Sequence, residues 1–159
     1  LSNFLKQMGI VGPLVFIVIQ IVQVVIPIIP GGISTAVGVL VFGPVYGFIY
    51  NYLGIVLGSI IVFLISKKYG MKIIKKLFKK STIDKYIGWL DEGSRFDKLF
   101  AFAIFMPVAP DDFLCYLAGI TKMSIKKFTA IIIFCKPATI IAYSLSLSFM
   151  IDIIIKFFS

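Results

Sequence analysis

The chain has 159 residues, about one domain; 60% are apolar, 14% are charged, and the mean hydropathy is +1.06. A water-soluble domain of this size exposes too much surface to stay dissolved on so little charge, so a bilayer is its natural solvent. The net charge of +9 is mostly confined to one stretch, which fits membrane topology better than nucleic-acid binding, and the absence of histidine removes histidine-dependent catalysis and histidine metal sites.

The chain opens at Leu1 rather than a methionine, so a preceding helix or targeting segment is expected to be missing. Asn3, Lys6 and Gln7 ahead of an apolar run look like a secretory signal, but no small-residue cleavage site follows. Ile10 to Ile26 is apolar except for Gln20 and Gln23. Pro27-Ile28-Ile29-Pro30-Gly31-Gly32 comes next, and no continuous helix crosses such a run without losing backbone hydrogen bonds. Ile33 to Phe42 is too short to span, and Gly43-Pro44 ends it. Val45 to Ser66 is long enough, since about twenty residues cover the roughly 30 Å hydrocarbon core. Gly54 and Gly58 give it a small face for close helix contact.

From Lys67 to Lys98 there are ten basic residues against four acidic ones. Met71, Ile74, Leu77 and Phe78 fall at helical spacing among lysines, which predicts an amphipathic helix on the membrane surface. The positive-inside rule assigns this segment to the cytoplasm. Leu99 to Met106 is short and apolar and runs into Pro107-Val108-Ala109-Pro110, then Asp111 and Asp112. Phe113 to Thr121 is a short return, and Phe128 to Met150 is again long enough to span, with Lys136-Pro137 inside it. Cys115 and Cys135 lie in apolar segments and read as inert packing thiols.

The two proline-marked breaks match at an offset of 80, which also pairs Gly38 with Ala118 and Phe48 with Phe128. Each half reads as an apolar descent, a Pro-x-x-Pro break, a short return and a full crossing. A segment that enters and leaves on one side is tolerable at membrane depth only when buried in protein or lining a wet cavity. One crossing helix separates the two hairpins, so they enter from opposite faces, as an inverted repeat. Paired, interrupted short segments of this kind point to a transport site. The expected architecture is an all-α integral membrane protein, 1–159 a single membrane domain. Repeat 1 covers about 10–66, the basic segment 67–98, and repeat 2 about 99–150.

Asp111, Asp112 and Lys136 are the ionisable residues expected at depth, where a charge costs at least about 2.5–3.5 kcal/mol and usually faces a cavity or a partner. The two aspartates follow Pro110 at the start of a short helix, where one carboxylate suffices to cap orphan N–H groups. The second is then free to meet substrate, a proton or Lys136. Gly31-Gly32 is the equivalent break in the first half, with backbone N–H groups suited to a phosphate. No Ser–His pair, metalloprotease motif, P-loop or nucleophile elbow is present, so no enzyme, cofactor or metal is expected.

The order Pro27-x-x-Pro30-Gly31, Gly38, Phe42-Gly43-Pro44-x-x-Gly47, Gly54-x-x-x-Gly58 and Lys67-Lys68-Tyr69-Gly70 resembles the DedA superfamily, also called VTT-domain or SNARE-associated membrane proteins. Pro107-x-x-Pro110-Asp111-Asp112 and Tyr116-x-Ala118-Gly119-Ile120-Thr121-x-Met123-Ser124 look like its second signature. The resemblance implies opposed re-entrant hairpins and lipid scramblase or flippase activity. The residue reading and the resemblance together give a candidate transport site at Pro27, Pro30, Gly31, Gly32, Pro107, Pro110, Asp111, Asp112, Tyr116 and Lys136. The partners the resemblance implies are membrane phospholipids such as phosphatidylethanolamine, or a polyprenyl-phosphate carrier. Gly31-Gly32 stands where the DedA subgroup tends to have Gly-Glu, and Ile104 near its usual arginine; proton coupling is not implied here, and the Pro-Asp-Asp branch is. The alternatives are a small-solute or ion transporter on the same site, and a non-transporting scaffold; a homo-oligomer stays open.

Overall fold

The computed structural model describes residues 9, 11–26, 31–92, 95–105 and 111–159, and among them every regular element is helical. In chain order these are α1 (Val11–Val25), α2 (Gly31–Phe42), α3 (Pro44–Tyr69), α4 (Met71–Leu77), α5 (Lys80–Tyr86), a 3-10 segment (Ile87–Glu92), α6 (Arg95–Phe105), α7 (Asp111–Gly119) and α8 (Ile125–Phe158). The four prolines of the two breaks, Pro27, Pro30, Pro107 and Pro110, lie outside the described residues. The helices on either side of them keep the sequence offset. α1 stops at Val25 and α6 at Phe105, while α2 opens at Gly31 and α7 at Asp111.

Length separates two kinds of helix. α1, α2, α6 and α7 have 15, 12, 11 and 9 residues, which at about 1.5 Å per residue is well short of a roughly 30 Å hydrocarbon core. α3 has 26 residues and a mean hydropathy of 2.2 in its most apolar stretch, and among the described residues it is long and apolar enough to cross. α8 runs for 34 residues, roughly 51 Å. Gly43, with φ +88, joins α2 to α3 in a backbone region that disfavours a Cβ, and Pro44 starts the new helix where its missing N–H is not needed.

α3 is the central column, in contact with α1, α2, α7 and α8. Helix association in lipid gains little from hydrophobicity, so close packing and internal hydrogen bonds carry it. A Cβ on Gly54 would lie 2.6 Å from the Gln20 Cβ of α1, and one on Gly58 would lie 2.9 Å from the Val24 Cβ. The small face expected from the sequence is therefore the seat of α1. Phe63 of α3, Phe128 of α8 and Phe100 of α6 stack in series, with centroids 4.4 Å and 5.6 Å apart.

The basic segment differs in detail from the single surface helix expected at 71–78. α4 ends at Leu77, and Phe78 turns extended, with φ −123. Ile74 is fully buried, and the Phe78 ring meets Phe113 and Tyr116 of α7 at 5.0 Å and 5.5 Å. The apolar side of this stretch thus docks on α7, because aromatic partners there offer edge-to-face packing.

Candidate functional site

A helix that stops at depth leaves its last carbonyls without partners, and lipid supplies none. Near the ends of α1 and α6 a hydroxyl group supplies such a partner. Tyr116 donates its hydroxyl to the Val25 carbonyl at the end of α1, and Thr139 of α8 donates to the Ile104 carbonyl near the end of α6. Tyr116 is fully buried, and its own carbonyl accepts from the Ser66 hydroxyl of α3. One residue of the second half therefore fixes the end of a helix in the first.

Lys136 lies eleven residues into α8 and is 3% exposed, a fully interior position for a cation. It sits three residues before Thr139, on the face of α8 that meets the end of α6. It is not an isolated charge, and neither is Asp112. α8 also packs on α2, the helix that opens at Gly31. Asp112 is four residues from Tyr116 on α7 and shares its face. Asp111 and Asp112 form the first turn of α7, where a carboxylate complements the helix dipole. The side chain of Asp111 lies outside the described residues, and so do the surroundings of Gly31 and Gly32.

Pro137 adds a second polar feature beside Lys136. Within α8 its missing N–H frees the Ile133 carbonyl, and Tyr52 of α3 donates its hydroxyl to that oxygen at 2.9 Å. The first half holds a network that sequence reasoning missed. Gln20 of α1 donates to the Asn51 Oδ1 of α3, and the Asn51 amide donates to the Thr35 carbonyl of α2 at 2.9 Å. All three residues are at most 1% exposed. Their signal was Gln20 and Asn51, two amides set among apolar helical neighbours with no solvent for them to face.

The end of the molecule bearing Lys67 also gathers later residues. Lys67 donates to the Met123 carbonyl at 3.3 Å, and Lys127 pairs with Asp97. The turn after α7 therefore lies at the same end of α3 as Lys67. Among the described residues no three His, Cys, Asp or Glu side chains converge as a metal site.

A profile of the VTT domain matches residues 29–149, more than half of the chain. No curated protein and no solved structure gives a significant match.

Proposed function

This chain belongs to the VTT-domain family, the DedA/VTT membrane proteins, and on that premise we propose that it moves lipid head groups between leaflets. The family is often proposed to contain transporters or flippases. In this reading each pair of short helices, α1 with α2 and α6 with α7, is a re-entrant hairpin, and the two enter from opposite faces as an inverted repeat. The protein is multi-pass, with 67–98 in the cytoplasm. The head group of a phospholipid or polyprenyl phosphate passes the hairpin tips, where Lys136 meets its phosphate and Asp111 and Asp112 lie opposite. Gly31-Gly32 and the four tip prolines shape the passage.

One observation carries the reading: a lysine held 3% exposed within α8, beside the short helix α6, whose end is capped by the Thr139 hydroxyl. A buried cation in a membrane helix is expensive and marks a polar path more readily than a packing role. Reconstitution into liposomes carrying fluorescent phospholipid tests it, because both leaflets then become accessible to an external quencher. Lys136→Met, which keeps the stem and removes the charge, slows that exchange, as does Asp111→Asn/Asp112→Asn. Solute uptake without lipid exchange indicates a small-solute transporter instead, and neither activity indicates a scaffold.

A further inference from the structure

A cleft of about 680 Å³ opens between the 3-10 segment with the start of α6 on one side and the α7–α8 connection on the other. It lies beyond the C-terminal end of α7, whereas Asp111 lies at the N-terminal end, so it is separate from the polar centre around Lys136. Its volume is within the usual range for small-ligand pockets, roughly 300–1,000 Å³. Leu90, Phe96 and Ile120 give it an apolar wall, and Lys122, Ser124 and Lys127 give it a polar one.

The polar wall is built rather than accidental. The Thr121 hydroxyl donates to the Ala118 carbonyl at 2.6 Å and accepts from the Met123 N–H at 3.2 Å, which fixes the turn. Lys67 holds the same turn from α3 through the Met123 carbonyl. Ser124 caps α8 by accepting from the Lys127 N–H at 3.2 Å, so its hydroxyl proton remains available as a donor. The N–H groups of Ile125 and Lys126 lie in the first turn of the 34-residue α8, where helices lack internal acceptors and favour anions. Asp97 is the acidic group of the lining, and Lys127 covers it. Lys122 has no hydrogen-bond partner among the described residues.

We propose that this cleft binds a phosphate group, carried by a lipid head group or free in solution, with Lys122 as its anchoring cation. The α8 N-terminus and Ser124 donate to its oxygens, Lys127 is held beside them by Asp97, and the apolar wall takes the rest of an amphiphilic ligand. Binding here is independent of whether lipid crosses the membrane, so its test reads binding alone.

Trp89 is the single tryptophan and directly precedes Leu90 of the lining in sequence. The protein is reconstituted in phosphatidylcholine vesicles containing brominated phosphatidic acid or, as a control, brominated phosphatidylcholine, and tryptophan quenching is measured. Inorganic phosphate is titrated in parallel. Selective quenching by the phosphatidic acid that inorganic phosphate does not reverse identifies a lipid site, and reversal by inorganic phosphate identifies a free-phosphate site. In either case Lys122→Gln/Lys127→Gln weakens binding by about tenfold or more, because the direct charge-assisted contacts to the phosphate are lost. Lys79→Gln/Lys80→Gln removes the same charge from the basic segment and leaves binding unchanged. Both lysines of the cleft are exposed, so the variant keeps its helical circular dichroism. An equal response to the two double variants, or no preference for phosphate in either arm, overturns the proposal.

Discussion

Asn51 is the most informative residue to replace, because it joins α3 to both arms of the first half. Asn51→Leu keeps the branched shape, strands the Gln20 amide and takes one donor away from the Thr35 carbonyl. A buried polar group left unpaired costs about 1–3 kcal/mol in general. Hydrogen bonds between membrane helices measure lower, about 0.6 kcal/mol on average and up to roughly 1.7. The Thr35 carbonyl also lies within α2, so its loss is the smaller, and Asn51→Leu is expected to cost about 2 kcal/mol. Gln20→Met strands only one face of Asn51 and costs about 1 kcal/mol. The double variant leaves no stranded amide, only the Thr35 carbonyl without its second donor, so its loss is about 1 kcal/mol or less rather than the sum. Cys115 is fully buried, so a thiol-reactive dye that fluoresces on reaction reports unfolding on heating, in a Cys135→Ser background. At roughly 2–4 °C per kcal/mol, Asn51→Leu lowers the midpoint by about 4–8 °C. Additive losses in the double variant, or a single variant as stable as the parent, would refute the network as a source of stability.

Three further outcomes follow from contacts elsewhere. Gly119→Ala places a Cβ 2.6 Å from the Ser66 Cβ and 2.7 Å from the Phe63 carbonyl, and backbone cannot yield as a side chain does. The same melting assay is expected to show a loss of about 1–3 kcal/mol. Tyr52→Phe strands the Ile133 carbonyl and costs about 1 kcal/mol, but costs nothing once Pro137→Ala has restored that carbonyl's own helical N–H. An equal cost in both backgrounds would show that Tyr52 does not serve the proline. Asp97→Asn breaks an ion pair whose side chains are 24% and 54% exposed, so melting shifts by less than about 1 kcal/mol, and less still in high salt.

The all-helical class was legible because so apolar a chain must satisfy its backbone within helices in lipid. Gly43-Pro44 forbids a continuous helix whatever the tertiary context, so the stop at Phe42 followed from local chemistry, while the two Pro-x-x-Pro breaks lie outside the described residues. Lys136 was legible for a related reason, since a lysine amid apolar residues has few permitted places. The basic segment was less so. Helical spacing at Met71, Ile74, Leu77 and Phe78 marks an apolar side but does not name its partner, and the rings of Phe113 and Tyr116 compete with lipid for it. The amide network and the two carbonyl caps were not legible at all. Gln20, Asn51, Tyr116 and Thr139 each have side chains compatible with many roles, and only the approach of a distant helix selects one. Pairs 16 to 91 residues apart leave no periodic trace.

The two caps show how one architectural problem admits unequal solutions. Val25 and Ile104 occupy nearly corresponding places in the two halves, each near the end of a helix too short to cross. Thr139 serves Ile104 from within its own half, through the long helix that follows. Ser59 is the residue 80 positions before Thr139, yet its buried hydroxyl has no hydrogen-bond partner among the described residues, and Val25 is served instead by Tyr116 from the other half. A short serine does not replace a longer reach here, and the tyrosine that does so ties the halves together. The exchange has a mechanical consequence. Movement of α7 away from α1 must break the bond from Tyr116 to the Val25 carbonyl, whereas α6 and α8 move as a pair without such a loss. Any rearrangement of the first helix end is therefore coupled to α7, the helix that begins with Asp111 and Asp112.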